Sequence, residues 1–332
     1  MIFNVLYDAI LKFTTATPAL VLAFISTFIL AFLVTTLVPI FIGWVERKYS
    51  ARIQSRYGPV YVGPLGLLQN MADIIKLLGK RAIATNVDKL SFNFAPIALA
   101  TLSFAMVLII PLGGPNLEFL SIPYTLLFLY IFLAISPLLI LIAGWGENNK
   151  YAILGGFRGV GQIATYELAL IVTIVSVALL SGSYSIPNIV SGQTTVWYIA
   201  YLPITFCVFV ITGLAIIERA PFDIPEASQE LQAGWEVEYS GIRYGFFLIT
   251  DYVRLVVVAM LIVYLFLGGW LGPVFPGFVW FMIKTAVVLL AIMTPRWIVP
   301  RPRIDQFIKL GWNWLLPLSI INLIIVGGVL LL

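Results

Sequence analysis

The chain has 332 residues, 61% of them apolar and only 10% charged, with a net charge of +4. Soluble domains run near 45–50% apolar and about 25% charged, so a water-soluble globule is excluded and lipid is the solvent. Histidine is absent and Cys207 is the one cysteine. This chain alone therefore supplies no His-ligated haem, no iron–sulfur cluster, no Cys/His zinc site and no disulfide, and electron chemistry falls to a partner.

A spanning helix takes about 20 apolar residues, and eight such stretches are predicted, over 19–43, 94–112, 123–144, 161–180, 196–217, 246–270, 274–293 and 310–332. The fold class expected is an all-α polytopic membrane protein. Lys12 before the first apolar run resembles a signal peptide, but the run is too long and no small-residue cleavage site follows, so it reads as the first span. Seven of the nine tryptophans lie at or near span ends, where an amphipathic indole prefers the headgroup layer. Lys and Arg crowd the first, third, fifth and seventh connections and are missing from the second, fourth and sixth. By the positive-inside rule both termini face outward and the long connections are cytoplasmic. The positive charge is an orientation signal, and nucleic acid is not an expected partner.

The first connection carries Glu46, Arg47, Lys48, Arg52 and Arg56, then an amphipathic segment over 64–79. In that segment Leu67, Leu68, Met71, Ile74, Ile75 and Leu78 form one stripe, and Gln69, Asp73, Lys76 and Lys80 the other. It is too short and too polar on one side to span, so it lies in the membrane surface. It is either a plain anchor or the border of a lipid-side opening for an amphipathic ligand, with Arg47, Arg52 and Arg56 facing a partner protein. Glu167 falls inside the fourth span.

The fifth connection, 218–243, sets six carboxylates (Glu218, Asp223, Glu226, Glu230, Glu236, Glu238) against Arg219 and Arg243. It reads as a solvated acidic loop or, given Phe222, Trp235 and Tyr239, as a carboxylate-lined chamber closed by a partner. Crowded carboxylates with little water exchange protons near neutrality. In the sixth span Asp251 and Arg254 stand at i and i+3, a spacing that permits a local pair. Lys284 in the seventh span has no charged sequence neighbour, and Glu167 is its expected partner. Ionisable groups at bilayer depth are costly and mark pathways, so these residues are expected to form a polar file from the inner surface toward mid-membrane.

Ordered motifs then carry a resemblance. They are Glu46-Arg47-Lys48, Gly58-Pro59, Val62-Gly63-Pro64, Gly66-Leu67-Leu68-Gln69, Lys150-Tyr151-Ala152, Tyr166-Glu167, Arg219-Ala220-Pro221-Phe222-Asp223, Pro225-Glu226-Ala227, Glu230-Leu231, Glu238-Tyr239-Ser240-Gly241, Lys284-Thr285 and Pro300-Arg301. The chain resembles the H-type membrane subunit of NADH:quinone oxidoreductase, also called NADH dehydrogenase subunit 1 of respiratory complex I. The resemblance implies an eight-span subunit that anchors the peripheral arm, with no cofactor of its own. Quinone would be substrate, and iron–sulfur clusters and flavin would sit on partner subunits.

It also implies roles for particular residues. Glu46, Arg47, Arg56, Asp73, Arg219, Phe222, Asp223, Arg296 and Arg301 would form the quinone cavity and interface, with Arg303 beside them. Glu167, Glu226, Glu230, Glu238, Asp251 and Lys284 would form a proton relay. The implied partners are the iron–sulfur and quinone-site subunits on the cytoplasmic face, other membrane-arm subunits, quinone and lipid. The implied location is an energy-transducing membrane, a prokaryotic cell membrane first. Asp251 stands where Glu is usual, Ser228 replaces an acid, and Glu147 and Glu236 look additional. Related alternatives are the anchor subunit of a membrane-bound hydrogenase or of a deazaflavin-dependent dehydrogenase; from other classes, a stand-alone cation transporter or a passive assembly anchor.

Overall fold

A computed structural model describes residues 2–11, 16–82, 84, 86–115 and 117–331. Lys12, Leu332 and the side chain of Ser228 lie outside the described residues. The short helix α1 (Ile2–Leu11) precedes α2 (Ala16–Ile53). After a 3-10 turn at Pro64–Gly66 come α3 (Gln69–Gly79), α4 (Lys89–Ile109), α5 (Thr125–Gly146) and α6 (Lys150–Ser181). Three short helices follow, α7 (Ile186–Ser191), α8 (Tyr198–Tyr201) and α9 (Pro203–Ile216), then α10 (Ser228–Leu231) within the fifth connection. The chain ends with α11 (Ile242–Phe266), α12 (Gly277–Met293), α13 (Pro295–Ile298), α14 (Ile304–Leu310) and α15 (Leu316–Leu331), the last two joined by a π-helical turn at Gly311–Leu315.

Seven helical stretches among the described residues are long and apolar enough to cross a membrane. The predicted fifth span, 196–217, is instead broken into α8 and α9. Pro203 disfavours a helical residue before it, and Leu202 accordingly takes φ −126° and ψ 53°. At 1.5 Å per residue the 14 residues of α9 cover only about 21 Å of a roughly 30 Å hydrocarbon core.

A cap rather than hydropathy sets the start of α6. α6 starts at Lys150 instead of 161 because the Asn149 side chain accepts the Tyr151 amide at 3.1 Å, an N-cap that satisfies an orphan donor. Lys150 and Arg158 are thereby helical rather than loop residues. α2 runs on to Ile53 and carries Glu46 and Arg47 with it.

The 64–79 segment is two pieces, the 3-10 turn and α3, because Leu65 (φ 55°) cannot continue a helix. The hinge needs glycine at Gly66, where φ is +73° and a Cβ would sit 2.1 Å from the Pro59 carbonyl oxygen. α3 exposes Met71, Ile75 and Leu78 as an apolar stripe fit for the membrane surface. Its other face is tied to α2. Asn70 donates to the Ile40 carbonyl at 2.8 Å, across the gap that Gly43 leaves open, and Arg47 pairs with Asp73 at 2.6 Å.

α11 is the central post, buried continuously from Val253 to Phe266 and packed on α2, α4, α9 and α12. Any charged residue along this buried stretch must therefore find its partners within the protein.

Candidate functional site

The C-terminal end of α2 and the N-terminal ends of α6 and α11 meet the folded loop 217–241, and three groups of charges result. In the first, Glu46 is 5% exposed and sits between two arginines, accepting from Arg219 Nη1 at 2.7 Å and Arg296 Nη1 at 2.5 Å. Arg219 also lies 4.6 Å over the Tyr252 ring, and the Glu46 carboxylate holds its guanidinium above its ordinary pKa despite burial. Glu46, Arg47, Gln54, Arg56, Tyr252 and Arg296 line an open cleft of about 470 Å³. A smaller pocket of about 80 Å³ continues from it, since Arg47 and Tyr252 line both and Asn70 and Asp73 complete it. Six of the nine predicted cavity and interface residues thus converge here: Glu46, Arg47, Arg56, Asp73, Arg219 and Arg296.

The other three lie elsewhere. Phe222 is buried core, edge-on to Tyr166 and Phe307 with ring centroids 6.0 and 4.8 Å away; its aromatic mass packs α6 against α14. Arg301 grips Asp223 through both carboxylate oxygens and lines a separate cleft of about 260 Å³ with Arg158, Glu230, Arg303 and Asp305.

The second group surrounds Arg254, which is fully buried. Its Nη1 lies 3.5 Å from Glu218 and 3.9 Å from Asp251, and its Nη2 donates to the Ile216 carbonyl. The local Asp251–Arg254 pair expected from spacing is thus the longer of two contacts. The better partner comes from the loop, where Glu218 takes a left-handed backbone conformation. Beside it, carboxylate oxygens of Glu226, Glu236 and Asp251 all lie within 4.8 Å of one another.

Three carboxylates that close cannot all ionise. Burial, with Asp251, Glu218 and Asp223 adding, pushes Glu226 up to about 8. Burial likewise drives Glu236 well above its ordinary value, with Glu226 and Asp251 adding. Glu218 rises to about 7 through burial, Arg254 opposing and Asp251 adding. Burial and mutual repulsion thus bring Glu218 and Glu226 into the range near neutrality.

The third feature is Glu147, 2% exposed in the tight turn between α5 and α6. It accepts the Glu238 amide at 3.2 Å, its second oxygen has no partner, and burial pushes it up to about 8. A carboxyl raised from its ordinary value stabilises the fold below that value and penalises it as pH climbs toward 8. We expect the melting temperature of the detergent-purified protein to fall between about pH 5 and pH 8, and Glu147→Gln to flatten part of that fall. A scan of melting temperature against pH checks it; an unchanged slope contradicts it.

The predicted relay is therefore assembled only in part. Glu226 and Asp251 converge with Glu236. Glu230 pairs with Arg158 at 2.6 Å on an exposed edge, and Glu238 meets Glu147 through its backbone. Glu167 accepts from the Tyr130 hydroxyl at 2.9 Å, both lining a cavity of about 410 Å³ between α5 and α6.

Lys284 is not Glu167's partner. Its ammonium donates to the carbonyls of Leu267, Gly269 and Leu271 at 2.6, 3.2 and 2.7 Å and lies 4.5 Å over the Trp197 ring. The turn closing α11 offers the negative end of a helix dipole, so the charge is met by backbone rather than by a carboxylate. Lys284→Met leaves these carbonyls short of a donor and should lower the melting temperature measurably. An unchanged melting curve would speak against this anchoring role.

Sequence reasoning missed Glu236, Glu218, Glu147 and Tyr252 as site residues. Glu236 and Glu147 carried a signal, as acids beyond the expected pattern. Glu218 lay in the acidic run, and nothing local marked Tyr252.

Long apolar helices around buried acids and bases define a multi-pass membrane protein with its ionisable groups gathered toward one end. The NADH dehydrogenase family profile matches residues 25–327, and the chain belongs to that family. It is 40% identical over 311 residues to an H-type subunit of the NADH-quinone oxidoreductase of Geobacter sulfurreducens, covering 91% of this chain and 94% of that one. The corresponding protein of Syntrophobacter fumaroxidans is 39% identical over 92% of this chain and 96% of its own. The H-type subunit of the F(420)H(2) dehydrogenase of Methanosarcina acetivorans is 41% identical over 85% of this chain and 86% of its own.

Proposed function

We propose that this chain is the membrane anchor subunit of a complex I type oxidoreductase that passes electrons from a donor to quinone. In this reading a quinone headgroup enters the polar cleft at Glu46, Arg56, Arg219 and Arg296, and partner subunits carry the flavin and iron–sulfur clusters. The donor is oxidised on those partners. Relatives named for NADH and for F(420)H(2) are about equally similar to this chain, so the reading is neutral between donors. The inner loops face the cytoplasm and hold the peripheral arm.

The observation that carries the reading is the three-carboxylate cluster of Glu226, Glu236 and Asp251. It neighbours both the Glu218–Arg254 pair and Arg219 of the cleft, since Asp251 bears electrostatically on each. A change of charge in the cleft, as when a quinone takes up electrons, shifts Arg219 and Glu46 and so redistributes protons over the cluster. Glu167, on the far side of α6, is the onward member toward a neighbouring membrane subunit.

The test is proton pumping against electron transfer in native membranes. Glu226→Gln and Glu167→Gln should each cut quinone-coupled proton uptake into vesicles by about a hundredfold or more, the scale of one lost proton-transfer group, while the complex still assembles. Normal coupled activity in both variants contradicts the relay.

A further inference from the structure

Glu218 and Arg254 belong to a buried polar knot that the relay above leaves unused, and Gln162 completes it from α6. All three residues are at most 3% exposed. Each keeps side-chain atoms without a hydrogen-bond partner: Gln162 Oε1, Glu218 Oε1, and Nε and Nη1 of Arg254. Unsatisfied polar atoms within a lipid-bathed bundle are costly. Glu218 reaches the knot from a left-handed backbone, with φ 58°. Such strain in a residue other than glycine gathers at functional sites.

Short contacts hold these atoms around one turn of chain. Gln162 Nε2 donates to the carbonyls of Ala215 and Phe222, each at 2.7 Å, so its Oε1 alone is left to accept. The Ala215 carbonyl also takes the Glu218 amide, at 3.2 Å. Arg254 donates through Nη2 to the next carbonyl, Ile216, while its Nη1 stands 3.5 Å from Glu218 and 3.9 Å from Asp251. Gly159, one turn before Gln162 on α6, faces the same place: a Cβ there would sit 3.2 Å from Glu218 Oε1. Glycine thus leaves the front of that oxygen open. The unpaired atoms also say what joins them, since two accept and Nη1 donates. A cation is repelled by Arg254, an anion by Glu218, and an apolar group satisfies neither. A small neutral molecule that gives two hydrogens and takes one fits, and buried waters make about three hydrogen bonds to groups of this kind.

We infer that Gln162, Glu218 and Arg254 bind a buried water, and that this water makes Glu218 the relay member facing α6, with Gln162 as its positioning residue. The inference rests on the relay reading above and extends it. Asp251 of the three-carboxylate cluster and Glu218 share Arg254 Nη1. A proton released by Asp251 is taken up at the Glu218 carboxylate, whose hydrogen then points to the water. Gln162 stands five residues before Glu167, about 7.5 Å along α6 at 1.5 Å per residue.

The test starts with Gly159→Ala, which fills the space before Glu218 Oε1, removes no hydrogen-bonding group and places a better helix former in α6. In native membranes containing the assembled complex it should cut quinone-coupled proton uptake by about tenfold, less than the loss of a proton-transferring side chain. The solvent deuterium isotope effect on turnover should rise while the quinone KM stays unchanged, a combination that loosened packing alone does not produce. Gly159→Ser, whose hydroxyl stands in for the water, should recover part of the rate, and Gln162→Met should match the alanine variant. In a cryo-EM map of the complex fine enough to show waters, one should lie within hydrogen-bond distance of Gln162 Oε1, Glu218 Oε1 and Arg254 Nη1. Direct contact between Gln162 and Glu218, or serine no better than alanine, overturns the water site. Unchanged uptake and isotope effect in Gly159→Ala overturn it too, and spare the relay when Glu226→Gln and Glu167→Gln are impaired. Normal uptake in all of these variants overturns both.

Discussion

Replacing Arg254 by leucine should remove the chain from membranes. Arg254 is fully buried and stands between Glu218, Asp251 and the Ile216 carbonyl. Deleting one member of a buried ion pair leaves the other's charge uncompensated, at a cost of about 3–5 kcal/mol. Against a typical total stability of about 5–15 kcal/mol, that loss is a large fraction. The measurement is the amount of folded chain recovered from membranes and its melting temperature in detergent. Arg254→Leu combined with Glu218→Gln should recover part of the loss, because the glutamine carries no charge to strand. Lysine at 254 should serve poorly, since a point charge cannot serve Glu218, Asp251 and the carbonyl together as a planar fork does. Normal yield from Arg254→Leu would show that the buried charges are solvated by some route other than this arginine.

Glu46→Gln should leave the chain in the membrane and cripple quinone reduction. Glu46 is the shared acceptor of Arg219 and Arg296, one from the fifth connection and one from the segment after α12. Charge-assisted hydrogen bonds of this kind contribute about 1.5–3 kcal/mol each. Losing the charge frees both guanidiniums to move at the mouth of the cleft, and we expect donor-driven quinone reduction to fall about 10- to 100-fold. Arg219 retains its ring contact with Tyr252, so assembly on a native gel should be preserved. Glu46→Asp, with the charge kept on a shorter stem, should give an intermediate rate. Full activity in Glu46→Gln would remove the cleft from the quinone pathway.

Much of the architecture was legible because the bilayer imposes it. Hydrocarbon admits only long apolar helices with satisfied backbones, so composition and run length alone gave the all-α polytopic class. The exception was the fifth span, where Pro203 broke the helix although the hydropathy window passed through it. Helix starts were less legible, since the Asn149 cap placed α6 at Lys150 and no hydropathy average registers a single capping side chain.

The site divided in the same way. Arg47 and Asp73, on α2 and α3, pair at 2.6 Å, a contact between two helices that no local spacing announces. Lys284 was assigned a carboxylate partner because charge seeks charge. The fold instead brought three backbone carbonyls to it, and backbone groups have no signature in a list of side chains.

The amino-acid sequence by itself determined the solvent, the helical class, the family and the segments where charge must collect, because these follow from composition and local order. Only the tertiary structure decided which acids meet. Glu226, Glu236 and Asp251 come together, and Glu46 binds two arginines 173 and 250 positions away, because the loop after α9 folds back against the buried post α11. Proximity across such separations is a property of the packed chain, and with it come the raised proton affinities of the loop acids.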